Sequence, residues 1–312
     1  MIAARAMFAS PAASRALVDG RIGAVETMTR GGTYVSLGDD WLLLVGPSEP
    51  SGPLTLTVQG MATTDMAPVS PVEVSDGRLI IGGQAVSLER MRVRRQPSRA
   101  PTSVWSADAV ARAAAVAMAE LPAVATSAPV APRLRRGVDA LATGSLVKAV
   151  EELAGLGEGL TPAGDDLLAG YAAWRVTEGD PAANDGVGSA DALRLSVLAT
   201  GRSSPLGLAY LRCAERGELP DAGARLVDAI RHGSVAAVQA AIPGLRAWGT
   251  SSGVALGWGI VAAAAGESAV WGLCDRIVLR QGSIPAQQRL QNIDGHRAGE
   301  QIPLAVHRVH PA

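Results

Sequence analysis

The first third of the chain carries short runs of aliphatic and β-branched residues, each bounded by turn-forming residues. Six such runs lie at 21–28, 33–37, 41–45, 54–58, 79–81 and 85–88. Glycine pairs such as Gly31-Gly32 and Gly82-Gly83 separate some of them. Short strands at this spacing are typical of a small antiparallel β barrel or sandwich. We expect a brief helix near 11–18 before it.

The apolar positions change to a helical period from Ser106 onward. This period predicts helices at 106–120, 138–153, 162–176, 189–199, 205–216, 222–232, 234–241, 252–265 and 267–278. The segment 121–136 is rich in proline and alanine, which predicts a linker or crossing loop. A polar surface loop is expected at 178–188, and a loosely held tail from about 281.

These patterns together predict an α+β protein. A small antiparallel β barrel or sandwich is followed by a larger, mainly α-helical domain. We place the β-rich N-terminal domain at 1–100, the helical domain at 101–280 and the tail at 281–312.

Composition narrows the possible function classes. The chain has 312 residues, of which 48% are hydrophobic and 18% charged, as expected for a globular protein. Its net charge of −1 excludes a strongly basic surface for nucleic acid or anionic membrane. The longest apolar stretch, 254–265, is shorter than the ~20 residues of a membrane span. We therefore expect a cytoplasmic protein. Cys213 and Cys274 lack metal-ligand spacing, so we expect both to be buried free thiols.

Residues 155–168 carry the most informative local pattern. Glycines alternate along its first part at Gly155, Gly157 and Gly159. Thr161 then offers a capping hydroxyl, and Pro162 suits the first helical position. A glycine loop that leads into a helix directs free backbone N–H groups and the positive end of the helix dipole at one spot. Such a spot is suited to an anion.

Two later helix starts have a similar composition. The segment 200–205 contains Arg202, Ser203 and Ser204. The segment 249–253 contains Thr250, Ser251, Ser252 and Gly253. The second segment has more hydroxyls than one helix cap uses, and the guanidinium of Arg202 suits a carboxylate or phosphate. Convergence of the three helix starts would make a site for a small, doubly charged anion, whereas ordinary capping is the simpler alternative for each.

Asp165 and Asp166 follow the glycine loop in the first turn of the predicted helix. Neighbouring helical side chains point about 100° apart, so we expect only one of them to face a given ligand. One carboxylate could hold Mg²⁺ or a substrate nitrogen while the other caps backbone groups or pairs with an arginine. Both are candidate catalytic and metal-binding residues, and Mg²⁺ is the one cofactor suggested. Glu158 is a further candidate acid, and compensation of the helix dipole is the simpler alternative for the aspartates.

Other catalytic patterns are absent from the sequence. It contains no nucleophile elbow, zinc-protease helix motif, phosphate-binding Walker loop or dinucleotide fingerprint. No histidine or cysteine lies near 155–168, so proton transfer would depend on aspartate or glutamate. Phosphoryl or carbamoyl transfer suits such a site because it depends mainly on positioning and charge neutralisation.

The run 155–166, taken with 200–204 and 250–253, resembles the AllH family, a subunit of oxamate carbamoyltransferase. The shared run is Gly-Leu-Gly-x-Gly-Leu-Thr-Pro-x-Gly-Asp-Asp, and the later segments occur in the family's order. The resemblance extends over about 15–275. Family members often carry an acid where this chain has Ala255. The chain also lacks the Ser-x-Arg-Thr phosphate loop of aspartate- and ornithine-type carbamoyltransferases.

The resemblance implies a role in purine and allantoin catabolism. The family's enzyme interconverts oxalurate and phosphate with oxamate and carbamoyl phosphate, and this subunit works beside two other proteins. The expected partners are thus a small anionic metabolite and other carbamoyltransferase subunits, without nucleic acid or membrane. The positions that match the family are Gly157, Gly159, Thr161, Gly164, Asp165, Asp166, Ser204, Thr250, Ser251 and Gly253. The anion-site pattern adds Arg202, Ser203 and Ser252, and we expect all of these except the two aspartates to bind substrate.

Two alternatives remain open at this point. The chain could be a non-catalytic metabolite-binding or scaffolding subunit whose reactive residues lie on a partner. It could also be a stand-alone enzyme of the kinase or hydrolase type that acts on another substrate.

Overall fold

The computed structural model describes residues 4–61, 67–94, 106–126, 129–178, 194–265 and 277–279. Within these residues the strands are β1 (Arg5–Ala9), β2 (Ile22–Thr29), β3 (Gly32–Leu37), β4 (Asp40–Val45), β5 (Thr55–Gln59), β6 (Pro71–Ser75), β7 (Arg78–Ile81), β8 (Gln84–Ser87), β9 (Arg92–Val93), β10 (Val124–Thr126) and β11 (Ile277–Leu279). The helices are α1 (Pro11–Ala16), α2 (Ala107–Glu120), α3 (Ala131–Ala142), α4 (Leu146–Leu153), α5 (Ala163–Glu178), α6 (Leu195–Leu198), α7 (Pro205–Ala214), α8 (Asp221–Arg231), α9 (Val235–Ala247) and α10 (Ser252–Ala265).

Strands β1 to β8 close into a barrel, which confirms the predicted α+β fold. Their hydrogen-bonded order is β5-β4-β3-β2-β6-β7-β8-β1, and β1 also pairs with β5 to close the ring. The β4–β5 and β1–β8 pairs are parallel, and the other pairs of the ring are antiparallel. The short β9 lies parallel to β1.

The barrel interior is filled by aliphatic side chains from alternate strand positions. In β6, Val72 and Val74 are buried while Glu73 between them is exposed, which is the two-residue period of a half-buried strand. Val35, Leu42, Leu44, Leu56 and Leu79 belong to the same buried cluster. The sequence-based prediction missed β6 and β1. Strand β6 has only five residues and begins with Pro71, and β1 contains alanine rather than β-branched residues.

The segment between α2 and α4 contains a strand and a helix, so the prediction of a linker there is wrong. Residues 121–136 were expected to be a loop, but β10 lies within them and α3 begins at Ala131. Pro132 falls in the first turn of α3, where its missing N–H costs no helical hydrogen bond. The single helix expected at 138–153 is in fact split between α3 and α4. Gly144 at the break has a φ of 72°, typical of the residue that ends a helix.

Three further helix predictions differ from the structure. Of the helix expected at 189–199, the described residues begin at 194 and contain only the four-residue α6. The helix expected at 234–241 extends as α9 to Ala247, although Pro243 lies inside it. The helix expected at 267–278 is wrong at its end, because Ile277–Leu279 is a strand that pairs in parallel with β10. Cys274, the tail from 281 and the predicted loop at 178–188 beyond the last residue of α5 lie outside the described residues.

Helices α5 and α10 form the centre of the helical region. Both are buried along most of their length, as expected for helices that are apolar on nearly all sides. A Cβ atom at Gly170 of α5 would meet the carbonyl oxygen of Leu256 in α10, and one at Gly259 of α10 would meet that of Leu167 in α5. The two backbones are therefore in direct contact near the middle of both helices.

The barrel packs on the helical region mainly through β4 and α7. Leu43 and Val45 of β4 form an apolar cluster with Leu206, Ala209 and Cys213 of α7. Cys213 is buried and unpaired, which confirms the prediction for this cysteine. In the part of the chain that the structure describes, every helix is too short or too polar to span a bilayer.

Candidate functional site

The glycine-rich loop before α5 has a backbone that only glycine adopts readily. Gly155, Gly157 and Gly159 have φ values of 68°, 119° and 105°. A Cβ atom at Gly155 would in addition meet the carbonyl oxygen of Arg202. The alternating glycines are thus required by the course of the loop itself, whatever the loop binds.

Asp165 joins this loop to the start of α7. Its Oδ1 accepts hydrogen bonds from the Gly155 N–H (2.7 Å) and from the Ser203 hydroxyl (2.7 Å). The hydroxyl of Ser204 donates to the Leu160 carbonyl (3.2 Å), which adds a second link between the same segments. Burial raises the pKa of Asp165, and its two hydrogen bonds oppose that change. The hydrogen bonds of Asp165 therefore hold the glycine loop and the start of α7 together.

Ser204 caps α7 as the sequence predicts. Its hydroxyl oxygen accepts the Gly207 N–H (3.0 Å), and the helix begins at Pro205. Gly207 also lies directly against Asp165 Oδ2, where a larger residue would collide with the carboxylate. The N-terminus of α7 is consequently occupied by its own cap and by contacts with Asp165.

Asp166 points to a different side of α5, toward the start of α10. Its side chain is buried, and its Oδ2 has no hydrogen-bond partner among the described residues. Burial raises the pKa of this carboxyl to about 8. The Ser252 and Thr161 hydroxyls oppose the increase, whereas the nearby Asp165 carboxylate adds to it. The hydroxyl oxygens of Thr161 and Ser252 are themselves 2.9 Å apart, so the residues just before α5 and the first residue of α10 meet beside Asp166.

A cavity of about 820 Å³ lies between these helix starts and the barrel. Thr161, Asp166 and Ser252 line it from the helical side. Arg30, in the turn after β2, and Tyr34 of β3 line it from the barrel. The volume is within the range of pockets that hold small metabolites, and both parts of the chain are needed to form it.

The structure brings only some of the predicted site residues to this cavity. Those that line it are Gly159, Thr161, Asp166, Thr250, Ser251 and Ser252, together with the candidate acid Glu158. The predicted residues outside the lining are Gly157, Gly164, Asp165, Arg202, Ser203, Ser204 and Gly253. Two of the three helix starts, those of α5 and α10, thus border one cavity. The start of α7 is attached to the same loop but does not border it.

Several of the residues outside the lining have evident packing roles. A Cβ atom at Gly164 would meet the Leu153 carbonyl, and one at Gly253 would meet the Leu245 carbonyl. Ala255 is fully buried in the helical core. Arg202 is exposed in the turn before α7, so it is not placed to neutralise a ligand in the cavity. Close backbone packing thus explains Gly164 and Gly253.

Sequence reasoning missed the residues that the barrel and α7 contribute. Arg30 is the arginine that borders the cavity, and its one local signal is the Gly31-Gly32 turn that follows it. Tyr34 of β3 and Tyr210 of α7 have hydroxyl oxygens 3.3 Å apart on the cavity wall. Burial raises the pKa of both tyrosines, so both stay uncharged at neutral pH. No local pattern marks a residue whose role depends on a neighbour far away in sequence.

The geometry gives no support to the predicted Mg²⁺ site. Among the described residues, no group of three or more histidine, cysteine, aspartate or glutamate side chains is arranged to hold a metal ion. Asp165 Oδ1 is already used by two donors.

Comparison with known proteins gives one family match, which covers part of the helical region. Residues 153–264 match the family model of oxamate carbamoyltransferase subunit AllH. The AllH match starts at the end of α4 and stops one residue before the end of α10, so it includes the glycine loop, both aspartates and the segment 250–253. It confirms the resemblance to AllH over a narrower range than the expected 15–275, and the barrel lies outside it. No curated protein and no solved structure matches the chain.

Proposed function

We propose that this chain is a subunit, or a relative of a subunit, of an oxamate carbamoyltransferase in ureide catabolism. Its cavity binds a small anionic ligand such as oxalurate, oxamate, phosphate or carbamoyl phosphate. The observation that carries the proposal is the meeting of the α5 and α10 N-termini at one cavity, inside the segment that matches AllH.

The cavity offers an anion two kinds of attraction. The first residues of α5 and α10 add the positive ends of two helix dipoles and the hydroxyls of Thr250 and Ser251. Arg30 adds a guanidinium on the opposite wall, which pairs well with a carboxylate or phosphate. Each contact is weak where water reaches it, so the affinity depends on several acting on one small ligand.

Two exposed acidic residues on the cavity lining can bind the N–H-bearing part of a ureide ligand. Glu49 and Glu158 both border the cavity and are exposed. Their carboxylates accept hydrogen bonds from N–H groups, which oxalurate has in its ureido part and phosphate lacks. A ligand with one anionic end and one N–H-bearing end therefore fits the lining better than a simple inorganic anion.

Calorimetric titration of the purified chain with oxamate, oxalurate and phosphate tests this proposal. The variant Arg30→Ala should weaken binding of the organic anions about tenfold, because one charge-assisted hydrogen bond is worth about 1.5 kcal/mol. Arg202→Ala is the matched control, since Arg202 is an exposed arginine outside the cavity lining. Absence of binding by all three compounds, or equal effects of the two variants, would contradict the proposal.

One observation favours a non-catalytic role for this subunit within the enzyme. None of the described residues that line the cavity is a histidine, cysteine or lysine, so the lining offers neither the usual general base nor a strong nucleophile. In this second candidate function the chain binds the metabolite while a partner subunit supplies the reacting groups. Phosphate-dependent cleavage of oxalurate by the purified chain alone would exclude it.

A further inference from the structure

The carboxyl group of Asp166 occupies the point where the two helix starts meet the cavity. The residue is 7% exposed, borders the cavity, and its Oδ2 lacks a hydrogen bond from any described residue. Buried oxygen atoms are almost always hydrogen-bonded, and leaving one unpaired costs about 1–3 kcal/mol. An unpaired buried oxygen at a cavity wall points to a ligand atom that completes its bonding.

The surroundings of Asp166 favour a carboxyl group that keeps its proton. Thr161 and Ser252 present hydroxyls to it, and the carboxylate of Asp165 is a near neighbour. None of the described arginines or lysines forms an ion pair with it. The titratable groups on other elements that line the cavity with it are Arg30, Tyr34, Glu49, Glu158 and Tyr210. Glu218 lies with Asp166 and Tyr210 around a second, much smaller pocket.

The magnitudes support the same conclusion. The dipole of α5 favours an ionised carboxylate in the first turn, but only weakly. Burial acts in the opposite direction and raises the pKa of Asp166 to about 8, far above the ordinary range of an aspartate. Of the groups around it, Tyr34 and Tyr210 remain uncharged, and Glu218 is paired with Arg15 at 2.7 Å. Desolvation therefore outweighs the helix dipole.

We propose that Asp166 binds the anionic ligand as an uncharged carboxylic acid, with its Oδ2–H donating a hydrogen bond to a carboxylate, phosphate or carbonyl oxygen of that ligand. This inference rests on the proposed function and specifies which atoms meet. An ionised Asp166 would repel an anion at the α5 N-terminus unless a cation lay between them. A proton on Oδ2 removes that repulsion and supplies a donor, so the site needs no bridging metal ion.

The proposal has a direct consequence for ligand binding. Only the protonated form of Asp166 binds the anion, so affinity should be constant well below the pKa of about 8 and should fall above it. At about pH 9 roughly a tenth of the carboxyl groups remain protonated, which gives an affinity about tenfold lower than at pH 7. Binding at pH 9 should take up close to one proton for each ligand bound.

Calorimetric titration of the full chain with oxamate tests this, because oxamate itself does not titrate near these pH values. Measurements at pH 6, 7, 8 and 9 in buffers of different ionisation enthalpy give the affinity and the protons taken up. The variant Asp166→Asn retains an N–H donor without a titrating group, so it should bind oxamate with an affinity independent of pH. Affinity of the wild type that is flat or rises with pH, or the same decrease in the variant, would overturn the proposal.

A spectroscopic measurement separates this inference from the proposed function. If oxamate, oxalurate and phosphate all fail to bind at any pH, the proposed function fails. Infrared difference spectra of wild type against Asp166→Asn then decide the state of the carboxyl group. A protonated-carboxyl band at pH 7 that is lost near pH 8 supports the uncharged acid, and its absence at pH 7 overturns it.

Discussion

Replacement of Asp166 by asparagine should change how the stability of the protein depends on pH. Burial raises the pKa of this carboxyl from its ordinary value of 3.8 to about 8 in the folded protein. The native state thus holds a proton that the unfolded chain releases above about pH 4. The stabilisation from that proton is fully present below the unfolded pKa and is lost as pH rises through the folded pKa.

The size of the effect follows from this interval. Between pH 4 and 8 each pH unit reduces the free energy of unfolding by about 1.4 kcal/mol through this one group. From pH 5 to 7 the wild type should therefore lose about 3 kcal/mol relative to Asp166→Asn, whose side chain does not titrate. Asp165, Glu215 and Asp228 also have raised pKa values, but they are present in both proteins and cancel in the difference.

Urea unfolding followed by circular dichroism at pH 5, 6 and 7 measures this difference. The quantity to compare is how the difference in free energy of unfolding between the two proteins changes with pH. The substitution also has a constant effect, which is the same at every pH and does not contribute to that change. Parallel curves would show that Asp166 has the same protonation state in the folded and unfolded chain. The account of this carboxyl as a buried acid would then be refuted.

Two further predictions concern the contacts that position the site. Gly170→Ala should lower the free energy of unfolding by at least about 1–3 kcal/mol, because its Cβ would meet the Leu256 carbonyl, whereas Gly46→Ala, which meets nothing within 4 Å, should have little effect. Urea denaturation tests both, and equal stability of the two variants would contradict the close α5–α10 contact. Asp165→Ala should lower the free energy of unfolding by about 2–4 kcal/mol, because it removes the acceptor of the Gly155 N–H. Asp165→Asn keeps an oxygen acceptor and should cost less than half as much. Equal losses in the two variants would show that the charge of Asp165, and not its oxygen, stabilises the loop.

The success of the fold prediction depended on local periodicity. Helices α2, α5, α7 and α10 were predicted within two residues at each end, because their apolar spacing and first-turn residues are visible in a single segment. The failures occurred where one local signal has two meanings. Proline and alanine at 121–136 predict a linker, yet proline in the first turn is also typical of a helix start such as that of α3.

The candidate site was predictable only on its helical side. The glycine loop and the segment 250–253 carry glycine, proline and hydroxyl residues that mark helix starts in any context. Arg202 was chosen as the anion-binding arginine because it is adjacent in sequence to Ser203 and Ser204. The structure places it outside the cavity and places Arg30 on the lining instead. The position of Arg30 on the cavity lining depends on how the barrel packs on α7. No residue near Arg30 in the sequence indicates that packing.

The sequence by itself determined the two halves of the protein, the three hydroxyl-rich helix starts and the resemblance to AllH, since each of these is a property of consecutive residues. The tertiary structure decided which of the two neighbouring aspartates faces the cavity. It also decided that α5 and α10 meet there while the start of α7 does not. The physical reason is that neighbouring helical side chains diverge by about 100°, so their surroundings depend on the rotation and contacts of α5. Those contacts, and the desolvation that comes with them, give Asp165 and Asp166 different chemistry.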